Sequence, residues 1–317
     1  MVDLAVLREQ GVYRAAVCAE QLLADLTRLG SIDREAENRR RLLKPIFAIG
    51  LGAAFLGFPL AFFGAEALFN GEASGVLFCL PMLVGIPTAL FAWRVERATA
   101  RLDLPNYRYE LLRKLIPVLQ RDMAPDARFG VAVTFRSPVQ PRTSVAHPRR
   151  ANWRIKRFRD GWLDLSGRFL DGTRFRLRLA EDYCDITGRN VNNKERCKPR
   201  TKGLRLELRL GVAPRLASAL DRTTTMQRRL AVRLPEGVEL RTFKIEGSTL
   251  VLKAKLVRWV PARMTDQAGP DTPAPAPALP RLSTDGQAEA ATAAITALLL
   301  SGFQMINACR LTADPPR

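Results

Sequence analysis

Basic residues recur at every second position in two places. In TRFRLRL, Arg174, Arg176 and Arg178 alternate with Phe175, Leu177 and Leu179. Successive side chains of a strand point to opposite faces, so one face of this run is apolar and the other cationic. Farther on, Lys194, Arg196, Lys198, Arg200 and Lys202 repeat at the same period. The chemistry of such a surface is anion binding. Guanidinium groups crowded on one strand face repel each other unless solvent, acidic neighbours or a bound anion screens them. All of these side chains are therefore candidate anion-binding residues, and the bland alternative is a solvated face interleaved with acids such as Glu207.

Other chemistry finds little support. The five cysteines (Cys18, Cys79, Cys184, Cys197, Cys309) are odd in number and lack C-x-x-C spacing, which fits a reducing compartment rather than a zinc site or disulfide framework. His147 is the only histidine and stands in TSVAHPRR, which reads as a polar loop. Carboxylates are scattered, no glycine-rich phosphate loop is present, and no nucleophile lies beside a plausible base. The expectation is a protein that is not an enzyme and carries no cofactor or metal.

The net charge of +19 is unevenly placed. The first 44 residues hold eight Lys or Arg against seven Asp or Glu, and the excess lies almost wholly between Arg128 and Arg263. Two apolar runs separate these regions. Residues 46–65, IFAIGLGAAFLGFPLAFFGA, and 75–93, GVLFCLPMLVGIPTALFAW, contain no charge. At about 1.5 Å rise per residue each is long enough to cross a bilayer. The connection EALFNGEAS does no more than turn the chain, so 45–94 reads as a transmembrane hairpin. Arg34, Arg39, Arg40, Arg41 and Lys44 precede it and Arg94, Arg97, Arg101, Arg108 and Arg113 follow it, which places both termini in the cytoplasm of a bacterial inner membrane. Gly50, Ala53, Ala54, Gly57 and Ala61 put small residues on one side of the first run. Such a stripe lets helices approach closely, either the second span or the first span of another copy in a homo-oligomer.

The remaining elements follow from periodicity. Within 1–44, residues 3–29 carry a helical apolar stripe that Gly30 ends. The 95–123 segment predicts a juxtamembrane helix, with Asp103 as N-cap, Leu112, Leu115, Ile116 and Leu119 on one face, and Arg108, Arg113, Lys114 and Arg121 avoiding that face, near anionic headgroups. Residues 124–263 change to alternation: GVAVTF, NWRIKRF, WLDLSGRFL, TRFRLRL, LRLELRL, LAVRL, VELRTFKI and TLVLKAKLVRWV read as strands, with hairpin turns at Asp160-Gly161, Asp171-Gly172 and Glu246-Gly247. The basic series ending at Lys202 shares parity with Leu204, Leu206, Leu208 and Leu210. A bulge at Gly203 would reset the facing, making 190–193 the tip of a hairpin arm; the competing reading is a disordered loop. A proline-rich linker spans 264–282, and 283–317 predicts a helix of about twenty residues docking on the chain's other helices, too interrupted by polar residues for a third span.

The fold class expected is therefore an α+β membrane protein: a two-helix transmembrane hairpin, flanking amphipathic helices, and a cytoplasmic antiparallel all-β domain, either sandwich or partly closed barrel. Its function is expected to be membrane-tethered binding of anionic lipid headgroups or an acidic protein. In layout, though in no residue motif, a two-span hairpin followed by a β domain resembles bacterial defence effectors. That resemblance implies a barrel sensing an anionic nucleotide and spans that oligomerise. RNA binding is a third reading, because Trp153, Phe158 and Trp162 interleave with Arg154, Lys156, Arg157 and Arg159.

Overall fold

The computed structural model describes residues 7, 10–68, 74–99, 104–136, 141–147, 150–189, 195–212, 234–257 and 284–313; side chains at 54, 56–83, 98–99, 147, 150–152, 195–201, 284–285, 309 and 311–313 are outside that description. These residues fall into two compact units, one of 27–104 and one of 1–26 with 105–317.

The larger unit is built on an antiparallel sheet with eight strands among the described residues: β1 (Val12–Val17), β2 (Phe129–Thr134), β3 (Thr143–His147), β4 (Arg150–Arg168), β5 (Arg174–Arg189), β6 (Glu195–Gly211), β7 (Val238–Glu246) and β8 (Thr249–Leu256). The strands run in the order β1-β2-β4-β5-β6-β8-β7, with β3 pairing the first half of β4. Alternation explains the core. Phe175, Leu177 and Leu179 are buried beside Leu163 and Leu165 of β4, and Leu204, Leu206, Leu208 and Leu210 of β6 continue the layer to Leu250, Leu252 and Ala254 of β8. The LAVRL run lies outside the described residues.

Two helices pack in this unit, α3 (Asn106–Gln120) and α4 (Thr284–Ala313). On α3, Leu111, Leu112, Leu115, Ile116 and Leu119 are buried, one continuous helical face. Pro117 is accommodated inside the helix, Pro105 occupies the N-cap position, and Asp103 lies outside the described residues. Lys114 Nζ meets Glu289 Oε1 at 2.9 Å, joining α3 to α4. An added Cβ on Gly302 would come within 2.5 Å of Leu210 Cδ1, so a glycine is what allows α4 to approach the sheet so closely. Phe303 packs edge-on against Phe169 at 5.0 Å, and Arg310 reaches Asp171 at 2.5 Å. The tail helix thus docks as expected, although it has 30 residues rather than about twenty.

The smaller unit contains most of α1 (Ala19–Leu68) and all of α2 (Ser74–Thr99). Asp33 accepts the Leu104 backbone N–H at 2.7 Å. An added Cβ on Gly50 would meet Ala89 N at 3.0 Å and Gly85 O at 3.1 Å. The small-residue face at Gly50 is therefore taken by α2 of the same chain. Among the described residues, one helical segment, Gly286–Ala308, is long and apolar enough to cross a bilayer; it is partly buried within the larger unit.

Several local expectations are corrected. Residues 12–17 form a strand, and α1 runs through Gly30 without stopping. The apolar pattern there was ambiguous in period, and β1 exists because β2, more than 100 residues later, supplies its partners from Val12↔Thr134 to Val17↔Phe129. Asp160-Gly161 is not a turn: β4 runs straight through it, with a bulge between Gly161 and Leu163 that sends Trp162 into the core. His147 ends a strand, not a loop. Arg108, expected near headgroups, is buried.

Candidate functional site

The cationic face exists where the alternation put it. Arg174, Arg176 and Arg178 are exposed, on the side of β5 opposite Phe175, Leu177 and Leu179. Their surroundings are less bare than their own strand implies. Asp164 on β4 accepts from both Arg176 (Nη2–Oδ2, 2.6 Å) and Arg178 (Nε–Oδ2, 3.2 Å). Asp182 on β5 accepts from Arg159 on β4 at 3.0 Å and from Arg205 on β6. Glu207 on β6 accepts from Arg209 at 2.7 Å and Lys253 on β8 at 3.0 Å. Each carboxylate is shared by two cations, so every trio keeps a surplus positive charge.

This sharing perturbs Asp164 and Glu207 in the same direction. The Arg176 hydrogen bond, aided by Arg178, outweighs burial and holds Asp164 below the ordinary carboxylate range. Burial pushes Glu207 up, but the hydrogen bonds from Arg209 and Lys253 overcome it and leave its pKa lowered.

The register makes a cleft of this face. Strand pairing aligns Asp164, Arg178, Glu207 and Lys253 in one row and Gly161, Ala180, Arg205 and Lys255 in the next. Together with Arg159 and Arg241 they line a cavity of about 760 Å³. Its walls carry six basic side chains (Arg159, Arg178, Arg205, Arg241, Lys253, Lys255) against two acidic ones (Asp164, Glu207), a surplus of four. Arg176 lines a shallower depression beside Asp164, together with Arg14 of β1.

The second basic series divides. Lys194 lies outside the described residues. Arg196, Lys198 and Arg200 belong to β6, and Lys202 is exposed at the bulge. Gly203 adopts φ +122 and the pairing shifts between Asp182 and Tyr183. Beyond that shift Arg200 pairs with Cys184, Lys198 with Ile186 and Arg196 with Gly188. These positions therefore share the parity of Arg174, Arg176 and Arg178, and the paired strands form a hairpin arm up to Arg189↔Glu195.

Of the six basic side chains that line the cleft, the candidate anion-binding residues read from the sequence include only Arg178. Arg205, Lys253 and Lys255 show the same alternation in LRLELRL and LVLKAKL, which is the signal that identifies them. Asp182 was not legible, and Arg159 was read only among the basic residues beside the aromatic rings, because only the register of β4 on β5 brings the two together.

The opposite face of the same strands holds a buried cluster. Arg108 of α3 donates from Nη2 to Asp160 Oδ2 at 2.6 Å, from Nε to the Tyr107 hydroxyl at 2.9 Å, and from Nη1 to the Thr134 carbonyl. Its guanidinium lies 4.0 Å from Glu181 and over the Trp162 ring at 5.3 Å. Burial works against the charge, yet Tyr107, Asp160 and Glu181 outweigh it and raise the pKa of Arg108. Burial, with Glu181 beside it, also raises the Tyr107 hydroxyl well above its ordinary value. Gly161, Trp162 and Thr134 also line the cleft, so this cluster fixes the backbone that forms the cleft's floor.

The aromatic residues are not a stacking platform: Trp153, Phe158 and Trp162 are all buried, and Phe158 stacks on Tyr183 at 4.8 Å. No family model, no curated protein and no solved structure matches the chain.

Proposed function

We propose that this chain is a non-enzymatic bacterial inner-membrane protein, held by two spans at 46–65 and 75–93, whose β domain on the cytoplasmic side binds an anionic surface or acidic partner. The observation that carries this reading is the basic cleft, with its surplus of four positive charges on one sheet face. A concentrated field of one sign raises the local concentration of counter-charged partners and speeds their capture. The membrane assignment draws on the hairpin helices, where Ile49, Phe55, Val84, Leu90 and Phe91 leave more than half of their surface exposed. Exposed apolar patches of this kind mark contact with lipid or protein. On this reading the molecule is an α+β membrane protein, its sheet the cytoplasmic module.

A second reading is favoured by the shape of the cleft. A concave site suits a discrete anionic ligand, and binding could then act on spans that oligomerise. RNA recognition draws no support from the buried rings.

The test is capture of anionic and neutral vesicles by the full chain held in neutral-lipid nanodiscs. Binding to anionic vesicles that weakens with added salt is expected. Equal partition to both vesicle types removes the proposal, and reporter fusions that put the C-terminus outside the cell remove its cytoplasmic placement.

A further inference from the structure

Asp164 grips Arg176 through both Nε and Nη2, but three arginines of the cleft are held by one edge only. Arg159, Arg178 and Arg205 each donate from Nε, the first and third to Asp182 and the second to Asp164. Their terminal Nη groups have no acceptor among the described residues. A guanidinium anchored through Nε is fixed in orientation while its forked outer edge stays available, which is how a recognition arginine is held ready for a planar or tetrahedral oxyanion. Lys255, on the row of Gly161, Ala180 and Arg205, has no ion-pair partner among the described residues.

The floor between these groups is open. Gly161 and Ala180 face each other across β4 and β5, and an added Cβ on Gly161 would meet nothing within 4 Å. The volume of about 760 Å³ is that of a small-molecule site rather than of a flat contact. Charge density narrows the ligand further. The lining carries a surplus of four, and a phosphoryl monoester carries about −1.5 to −2 at neutral pH, so two such groups match it. A protein partner would have to bring about four carboxylates into the same space.

We propose that the cleft is a recognition site for a ligand bearing at least two phosphoryl groups, gripped by Arg159, Arg178, Arg205 and Lys255 above the Gly161–Ala180 floor. This rests on the reading that the basic face binds anions and names the class of anion. The phosphoryl groups can belong to a phosphorylated lipid headgroup or to a soluble metabolite.

The test is calorimetric titration of inorganic pyrophosphate into the full chain in neutral-lipid nanodiscs, with sulfate at equal ionic strength as control. Pyrophosphate is expected to bind more tightly than sulfate. Lys255→Gln and Arg178→Gln are each expected to weaken it by roughly tenfold, the worth of one charge-assisted hydrogen bond. Arg174→Gln, exposed on the same strand but outside the cleft, stays within about twofold of the parent. Lys255 has no ion pair to lose among the described residues, so its variant tests the site without endangering the fold. The site is overturned if pyrophosphate binds no better than sulfate, or if Lys255→Gln and Arg178→Gln behave as Arg174→Gln does. Repeating the titration in nanodiscs containing phosphatidic acid assigns the source while keeping the site: a lost pyrophosphate signal points to a headgroup, a retained one to a soluble ligand. Failure with pyrophosphate while salt-sensitive capture of anionic vesicles persists removes this inference alone; loss of both removes the reading beneath it.

Discussion

Arg108 on α3 and Asp160 on β4 meet at 2.6 Å, both buried and 52 residues apart in the chain. A second carboxylate, Glu181, stands 4.0 Å from the same guanidinium. The pair fastens the helix that follows the apolar segments to the strand whose bulge floors the basic cleft. The basic cleft on one side of β4 and the packing of α3 on the other therefore rest on the same few residues.

Arg108→Met is expected to destabilise the larger unit by about 3–5 kcal/mol, because it removes the guanidinium that two buried carboxylates face. Adding Asp160→Asn and Glu181→Gln to that variant should recover much of the loss. Thermal unfolding of the three-fold variant beside the single one checks this, and equal midpoints would contradict it.

Gly203→Ala should cost roughly 1–3 kcal/mol, since φ +122 is a conformation that only glycine adopts without strain. The added Cβ would also stand 2.5 Å from the Leu256 carbonyl oxygen, a backbone atom that cannot swing aside. Protease sensitivity of the β5–β6 arm is expected to rise along with the fall in stability.

Acid should weaken the fold. Asp164, Asp171 and Glu207 have folded pKa values below their ordinary ones. At Asp171 burial opposes this, but the Thr173 backbone N–H and Arg310 prevail. Groups lowered on folding contribute stability that is complete above the unfolded carboxylate value, about 4, and is lost as pH falls through the folded values. Thermal midpoints should hold steady from neutral pH down to about 5 and then fall; a midpoint flat to the most acid conditions would count against these pairings.

Asp164→Asn is expected to tighten anion binding while lowering stability only by about 0.2–1 kcal/mol, because the pairs it breaks are partly exposed. The substitution raises the charge surplus of the cleft and frees Nε of Arg178. Weaker pyrophosphate binding in this variant would show that Asp164 matters more for orienting the arginines than for opposing the ligand.

Gly50→Leu should separate α1 from α2, for a Cβ there already comes within 3.0–3.1 Å of Gly85 and Ala89 backbone atoms. A penalty of about 1–3 kcal/mol is expected for overpacking such a contact. Cysteines introduced at Ile49 and Val84 would report the change as slower cross-linking.

The sequence by itself determined the two faces of β5 and the turns at Asp171-Gly172 and Glu246-Gly247. Each of these is local: a period of two sorts side chains without knowledge of partners, and positive φ at Gly172 and Gly247 is written in the residue type. The parity conflict before Leu204 likewise pointed to Gly203, where the register does shift. Tertiary structure alone decided three things. Residues 12–17 became a strand because β2 offers its edge. Arg108 left solvent because Asp160 and Glu181 wait for it beneath the sheet. The arginines became a cleft rather than a stripe because cross-strand register stacks Arg159, Arg178 and Arg205 from three strands around shared acids. Pairing between distant segments is a property of the folded sheet, and no window of sequence contains it.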